Sequence, residues 1–430
     1  MIKRIAAIAF IFICTSVAWV ILGSTILART YSLGDELKRR VSSTWGTPQV
    51  QAPATAVGKY VIRRNVEETV KGRKQIREVE ETVTTDLPLE SSRVDVGFNL
   101  EHRQKGLLWY STYKVKYAGL YSFRNVSGKD EDVLFGLRFP AAKAVYDDLT
   151  FLIDGQPVSI TNGNDAAYAK LAVPAGKTVA LQVSYRSQGL DQWTYKFNDG
   201  IAQVHDFVLT MHTNFKDIDF PSDTLSPTEK RPTASGWDLT WSYKSLVSGF
   251  QIGMAMPQKL QPGPLAGEIS YFAPVSLLFF FFLMFVITTI RGIELHPMNY
   301  FFLATAFFAF HLLMAYLADH ISIHLAFAIC SAVSIFLVVT YLRLVVGMRF
   351  AAVEAGITQL IYLVLFSYAF FFPGFTGLAV TIGAILTLFI VMQMTGRIKW
   401  VEKFAAIKPV PPPPRPPVRP ATSPEGSWLE

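Results

Sequence analysis

The sequence contains few cysteines and few charged residues. Its two cysteines, Cys14 and Cys330, each lie inside a long apolar run, so the polar stretch between these runs has none. A disulfide framework is therefore excluded for that stretch, which must fold around its own hydrophobic core. Charged residues make up only 17% of the 430 residues, whereas soluble globular domains have roughly 25%. Hydrophobic residues make up 51% and are concentrated in long runs, which excludes a wholly soluble chain.

Common catalytic and cofactor-binding signatures are absent as well. The chain has no Gly-x-Ser-x-Gly, no His-Glu-x-x-His, no Cys-x-x-Cys and no dinucleotide-binding glycine fingerprint. Gly176-Lys177-Thr178 resembles the end of a phosphate-binding loop, but Leu171 stands where the first glycine is required. A hairpin turn explains this tripeptide better. We therefore expect no enzymatic activity and no bound cofactor or metal.

Six apolar segments are long enough to cross a membrane. The hydrocarbon core of a bilayer is about 30 Å thick, so a helical span needs roughly 20 apolar residues. The first run follows Lys3-Arg4 and extends from Ile5 to about Leu27. We predict an uncleaved anchor here, with a cleaved signal peptide as the alternative. The other five runs lack Asp, Glu, Lys and Arg, and extend approximately over residues 271–290, 298–317, 324–342, 355–372 and 377–394.

The distribution of Lys and Arg predicts the orientation of these spans, because short cytoplasmic loops are enriched in both residues. The short loops around Asp319 and around Pro373-Gly374 contain neither. We therefore predict a multi-pass protein of the bacterial inner membrane, with both termini cytoplasmic and residues 29–268 periplasmic. The basic residues on the predicted cytoplasmic side are Lys3, Arg4, Arg291, Arg343, Arg349, Arg397, Lys399, Lys403, Lys408, Arg415 and Arg419.

The polar residues between the first and second spans have the pattern of a mainly β domain. Runs such as 179–185 and 207–211 alternate apolar with polar or small residues, which is typical of half-buried strands. Turn-forming pairs such as Asp154-Gly155 separate the runs, and together they predict a sandwich. The predicted units are an N-terminal anchor (1–28), a periplasmic β-rich domain (29–268), a five-helix membrane block (269–400) and a cytoplasmic Pro-rich tail (401–430).

Two segments outside the membrane are candidates for partner binding. Residues 66–70 recur in sequence as 79–83, with a basic turn between them. This pattern predicts a charged, solvated hairpin, with a docking arm as the alternative. The tail from Lys408 is rich in proline and predicts an extended polyproline conformation. It is either a solvated spacer or a ligand for a cytoplasmic partner.

Histidines in the membrane block are the candidate site residues. His311 lies within a span, where an ionisable group suggests a role in proton or substrate handling, although a hydrogen bond between helices is the simpler explanation. His320 and His324 would share a helical face with Asp319 nearby if the helix continues, which suits a metal ion. Capping and hairpin closure is the alternative for Asp319. His296 precedes the proline that opens the third span.

Short motifs along residues 1 to about 400 carry a family resemblance through their order and spacing. They are Trp45-Gly46-Thr47-Pro48-Gln49, Arg103-Gln104-Lys105-Gly106, Gly119-Leu120-Tyr121, Gly236-Trp237, His296-Pro297-Met298-Asn299-Tyr300, Leu317-Ala318-Asp319-His320-Ile321-Ser322 and Gly396-Arg397-Ile398-Lys399-Trp400. In this order they resemble the CreD-like inner-membrane proteins. The resemblance implies an anchor, a periplasmic β domain and a five-span block. It also implies a role in envelope integrity under two-component regulation, and it supplies no catalytic residues. The Pro-rich tail is not part of the family pattern.

We therefore expect a non-enzymatic inner-membrane protein that supports envelope integrity or stress tolerance. Its expected partners are the lipid bilayer, an unidentified periplasmic envelope component and a cytoplasmic partner of the tail, and nucleic acid is not among them. One alternative is a small-molecule or lipid transporter that uses the five-helix block, with Asn299, His311, Gln359 and Gln393 lining its path. A second alternative is a metal-dependent intramembrane enzyme with its site at Asp319, His320 and His324.

Overall fold

The computed structural model describes residues 2–70, 73–198, 200–372 and 374–396. The chain divides into two compact units. A helical unit contains residues up to 18 together with 273–308 and those from 331 onward, and a second unit contains 19–272 with 309–330. The Pro-rich tail and the basic turn at Lys71-Gly72 lie outside the described residues, so the predictions made for them remain predictions.

In the described part of the chain, six helices are long and apolar enough to cross a membrane, and they correspond to the six predicted spans. Their mean hydropathy is high because charged residues are nearly absent from each apolar run. The helices are α1 (Ile2–Trp45), α2 (Pro262–Arg291), α3 (Pro297–Leu317), α4 (Ile323–Val345), α5 (Phe350–Phe371) and α6 (Thr376–Thr395). The fifth departs from α-helical geometry, with π-helical turns at Phe350–Ala355 and Leu360–Leu365.

Helix α1 continues well beyond its apolar run. Its 44 residues correspond to about 66 Å, roughly twice the thickness of the hydrocarbon core. Val41 is buried with Tyr110 and Leu190, and Leu37 and Trp45 pack against the same cluster at a spacing of four residues. This apolar face explains why residues 29–45 are helical. The β-rich segment predicted over 29–268 is therefore helical at both ends, since α2 already begins at Pro262.

Between α1 and α2, the described residues form sixteen strands. They carry the alternating burial that the sequence pattern predicts, for example in the strand Thr178–Leu190. The strands are β1 (Gln49–Gln51), β2 (Thr55–Val70), β3 (Arg73–Asp86), β4 (Leu89–Lys105), β5 (Leu108–Arg124), β6 (Glu131–Arg138), β7 (Asp147–Ile153), β8 (Gln156–Pro157), β9 (Thr161–Asn162), β10 (Ala166–Val173), β11 (Thr178–Leu190), β12 (Gln192–Tyr195), β13 (Ala202–Thr213), β14 (Glu229–Pro232), β15 (Trp237–Ser248) and β16 (Ile252–Ala255).

These strands form a sandwich, as predicted. An eight-stranded sheet has the order β14-β15-β13-β4-β5-β11-β7-β8, and a five-stranded sheet has the order β3-β2-β6-β10-β9. A third sheet has the order β1-β12-β16. One hydrophobic core joins them, and Phe123 of the large sheet meets Phe135 of the five-stranded sheet at 5.9 Å between ring centroids. The sequence-repeat hairpin is confirmed, because β2 and β3 pair antiparallel and Arg63 contacts Glu80 at 3.1 Å across them.

Strands β4 and β5 form the long central hairpin of the large sheet. A two-residue connection joins them, and its first residue, Gly106, has φ +61°. A positive φ at this position suits a type II′ turn, which matches the twist of the paired strands. On β4 the side chains of Val94, Val96 and Phe98 are buried in the core. The alternate residues of both strands therefore lie on the outer face of the sheet.

Candidate functional site

The outer face of the large sheet carries a groove of about 630 Å³ across β4, β5, β11 and β7. We call it the sheet-face groove. Its floor follows from strand register, because Gly97 pairs with Lys116, which in turn pairs with Arg186. Gly97 contributes no side chain, which leaves space beside Lys116. The lining residues are Gly97, Phe98, Asn99, Lys114, Val115, Lys116, Val145, Asp147, Arg186, Ser187 and Gln188.

The basic residues of the groove differ in their ionic partners. Lys114 contacts Glu101 at 2.7 Å, and the hydrogen bond from Lys114 lowers the pKa of Glu101. Arg186 contacts Asp147 at 3.0 Å. Lys116 is exposed and has no ion pair within the described part of the chain. The groove therefore offers a cation that no neighbouring carboxylate neutralises.

A histidine on the same outer face lies between two carboxylates. In His212 on β13, Nδ1 is 2.7 Å from an oxygen of Asp238 and Nε2 is 3.0 Å from an oxygen of Asp95. Burial lowers the pKa of His212, but the hydrogen bonds to Asp238 and Asp95 outweigh burial and raise it above its ordinary value. When protonated, the ring donates one hydrogen bond to each carboxylate, which links β4, β13 and β15.

Buried tyrosines form a rigid layer beneath the groove. Tyr185 donates a hydrogen bond to the Gln51 side chain at 2.7 Å, and Tyr113 donates one to the Gln192 carbonyl at 2.8 Å. Tyr117 and Tyr121 share a hydrogen bond between their hydroxyl groups. Burial raises the pKa of all four hydroxyls, so they stay neutral and serve to hold the strands in place.

His311, the predicted intramembrane candidate, is packed among aromatic rings. It is buried on α3, with its ring edge-on to Trp19 of α1 at 5.7 Å and to Phe310 at 4.9 Å. The ring of His311 thus contacts a second helix, and the simpler prediction of a hydrogen bond between helices stays a prediction.

The hairpin between α3 and α4 does not have the geometry that the predicted metal site requires. Helix α3 ends at Leu317 and α4 begins at Ile323, so His320 and His324 do not share one continuous helix. Asp319 instead contacts Arg29 of α1 at 3.4 Å. Within the described ranges, no three His, Cys, Asp or Glu side chains are grouped so that they could hold a metal ion.

His296 contributes to the start of α3. It is exposed, and its Nδ1 accepts a hydrogen bond from the backbone N–H of Met298 at 3.2 Å. This contact satisfies one of the backbone donors that every helix leaves free in its first turn. The structure therefore gives His296 a capping role.

The polar residues predicted to line a transport path lie in different surroundings. Gln359 is buried on α5 and donates to the Ser334 hydroxyl at 2.7 Å. Asn299 accepts a hydrogen bond from Tyr341 at 2.8 Å. Gln393 is exposed on the apolar surface of α6. Of the four predicted lining residues, only His311 and Gln359 are buried.

An ion pair, missed by the sequence analysis, closes one end of the helical unit. Glu354 lies in the first π-helical turn of α5 and contacts Arg291 at the end of α2. Its carboxylate is only 13% exposed, whereas Arg291 is 51% exposed. The groove and the His212 cluster were missed as well. Alternation along β5 predicts that Lys114 and Lys116 face outward. The sequence does not show which strands lie next to β5, and it is this strand order that brings Arg186 and Asp95 to the same face.

Comparisons with known proteins identify the helical block. Residues 269–401 match the family model described as "Inner membrane protein CreD". No curated protein sequence matches the chain. A Legionella pneumophila crystal structure, of a protein proposed to bind nutrients, is 12% identical with a TM-score of 0.32, covering 53% of this chain and 77% of that one. An M1 zinc metallopeptidase from Deinococcus radiodurans is 9% identical with a TM-score of 0.25, covering 39% of this chain and 42% of that one.

Neither structural likeness is strong enough to inform function, and the aligned region spans less than half of the peptidase chain. The family match and the six apolar helices agree with each other and with the resemblance found in the sequence motifs. Residues 269–401 of this chain are therefore similar to the CreD inner-membrane protein family, and its apolar helices are those of a multi-pass membrane protein.

Proposed function

We propose that this chain is a non-enzymatic protein of the bacterial inner membrane that supports envelope integrity or tolerance of envelope stress. In this proposal both termini are cytoplasmic, and the β domain lies in the periplasm and contacts an envelope component through the sheet-face groove. The Lys and Arg distribution supports the orientation. The uncompensated cation at Lys116, on an open groove of about 630 Å³, is the observation that carries the proposed contact.

The chemistry of the groove indicates the kind of component it would bind. Lys116 supplies a cation, Asn99 and Gln188 supply amide donors and acceptors, and Val145 supplies an exposed apolar contact. This set fits a polar ligand with an acidic group, because a compact ammonium pairs with anions without fixed geometry. The rigid tyrosine layer below keeps the strands, and so the groove, in one shape.

The test is complementation of a deletion strain that is sensitive to envelope stress. Lys116→Glu reverses the charge inside the groove, and Lys244→Glu makes the same change at an exposed lysine of β15 that does not line it. We expect Lys116→Glu to lose rescue at normal membrane levels and Lys244→Glu to keep it. Equal rescue by both variants would contradict binding through the groove.

A transporter is the second candidate, and the polar interior of the helical unit favours it. Gln359 and Ser334 are buried among apolar helices, and π-helical turns flank Gln359 along α5. Such turns are often found at functional sites. Gln359→Leu would remove the polar group, and Gln393→Leu provides a control on the exposed surface. Loss of rescue with Gln359→Leu alone, together with full rescue by Lys116→Glu, would favour transport over the proposed contact.

A further inference from the structure

One end of the helical unit contains buried hydrogen-bond donors that have no acceptor. The Nε and Nη2 atoms of Arg4 on α1 are buried and make no hydrogen bond in the described part of the chain. The hydroxyl of Tyr300 on α3 is buried without a partner as well, and its side chain is 0% exposed. The Tyr300 hydroxyl lies near both the Arg4 guanidinium and the Thr288 hydroxyl, although neither contact has the geometry of a full hydrogen bond. Among the described residues, no carboxylate forms an ion pair with Arg4.

An apolar groove begins beside these donors. It has a volume of about 240 Å³ and lies between α1 and α2, with Ala9 and Phe12 on one side and Phe282 and Phe285 on the other. All of its lining side chains are apolar. The guanidinium of Arg4 lies 6.0 Å from the ring centroid of Phe285, so the charged group marks one end of the groove. Ala9 and Phe282 are exposed on the surface of the helices.

We propose that this end of the helical unit binds an anionic phospholipid, with its phosphate at Arg4 and Tyr300 and an acyl chain in the groove between α1 and α2. Two guanidinium nitrogens buried without an acceptor are costly, and a phosphate would accept two parallel charge-assisted hydrogen bonds from them. Basic pockets between membrane helices recognise anionic headgroups in this way. The groove explains why a lipid phosphate fits better than a free one.

The headgroup is tested with the full-length chain in detergent by native mass spectrometry, titrating phosphatidylglycerol against phosphatidylcholine. We expect phosphatidylglycerol to bind more tightly. Arg4→Gln should weaken its binding about tenfold, because a charge-assisted hydrogen-bonded contact is lost. Lys3→Gln removes the same charge at an exposed neighbour and should change binding less than about twofold. Tyr300→Phe keeps the packed ring and should weaken binding severalfold.

The acyl-chain site is tested with Ala9→Trp, which fills the groove, and with Ala6→Trp, which places the same ring on α1 outside it. We expect only Ala9→Trp to reduce phosphatidylglycerol binding. Three results would overturn the proposal. They are equal affinity for both lipids, equal loss with Arg4→Gln and Lys3→Gln, and full competition by inorganic phosphate with no effect of Ala9→Trp. The last result would indicate a free-phosphate site.

Discussion

The His212 cluster predicts a pH-dependent stability of the large sheet. The folded-state pKa of His212 is raised above the ordinary value of 6.5, so the folded protein holds this proton more tightly than the unfolded chain. The resulting stabilisation is fully present below about pH 6.5, the unfolded pKa, and is lost as the pH rises through the folded pKa. The perturbation we choose is His212→Gln, which keeps a hydrogen-bonding side chain and removes the charge.

The expected gain in stability is small because the three side chains of the cluster are partly exposed to solvent. Two hydrogen-bonded ion pairs, of 2.7 and 3.0 Å, share the single positive charge of the protonated ring. The side chain of His212 is 44% exposed, and those of Asp95 and Asp238 are 62% and 39% exposed. Solvent screening therefore reduces each pair to the 0.2–1 kcal/mol that is typical of surface pairs, and we expect about 1 kcal/mol in total. This free energy corresponds to roughly a fivefold change in the protection of nearby backbone amides from hydrogen exchange.

Hydrogen exchange of the intact protein, read by mass spectrometry on peptides from β13 and β15, measures this local stability. After correction for intrinsic exchange rates, the amides of these peptides should be protected from exchange about fivefold more strongly in the wild type than in His212→Gln near pH 5.5. This difference should shrink toward pH 8. His205→Gln is the control, because His205 is exposed on the same strand and lies outside the cluster. A difference that grows with rising pH would refute the reasoning.

Four further predictions concern stability. Gly46→Ala should destabilise by more than about 2 kcal/mol in thermal unfolding, because φ is +103° and the new Cβ would lie 2.4 Å from a carbonyl of β11. Gly155→Ala, with φ +78° and open space, should cost only about 1 kcal/mol. Val41→Ala should cost about 2 kcal/mol and increase hydrogen exchange at the end of α1, since Val41 is 3% exposed. A double-mutant cycle of Arg29→Ala and Asp319→Ala should give a coupling below about 1 kcal/mol, because the pair is 3.4 Å long and partly exposed.

The membrane spans were predictable because the bilayer imposes a length and excludes charge. The predicted runs differ from the helices by a few residues, apart from α1, which continues to Trp45, and α2, which begins at Pro262. The extension of α1 was not predictable in the same way. Leu37, Val41 and Trp45 are spaced by four, but this spacing acquires meaning only when Tyr110 and Leu190 are known to cover that face.

The strands were predictable from alternation, but their neighbours were not. β13 pairs in parallel with β4 and places His212 opposite Gly97, far away in sequence. No local pattern encodes that pairing, because it depends on which sheet edges the core leaves open to each strand. The His212 cluster is a product of this pairing, and the sheet-face groove is a product of the equally non-local pairings of β11 with β5 and β7. The predicted site residues came instead from the membrane runs, where a rare ionisable side chain is conspicuous in the sequence.

The contacts of α1 decide which fragment of the chain can be used to test the β domain separately from the later helices. Gly23 of α1 approaches α2 so closely that a Cβ there would lie 3.0 Å from the backbone of Tyr271, and a Cβ at Gly267 of α2 would lie 2.7 Å from the side chain of Leu27. Lys38 also contacts Asp191 of the β domain at 2.8 Å. A fragment that ends before α2 should therefore loosen α1 and the sheet edge it covers.

We expect a fragment of residues 1–291, which contains α1, the β domain and all of α2, to keep wild-type hydrogen-exchange protection in β4 and β5. A fragment of residues 1–260 should lose protection in residues 30–45 first. If the longer fragment then rescues the stress-sensitive strain partly, the β domain acts without α3 to α6. If it is folded and membrane-bound but does not rescue, the remaining helices contribute more than support, and the transporter becomes the better explanation.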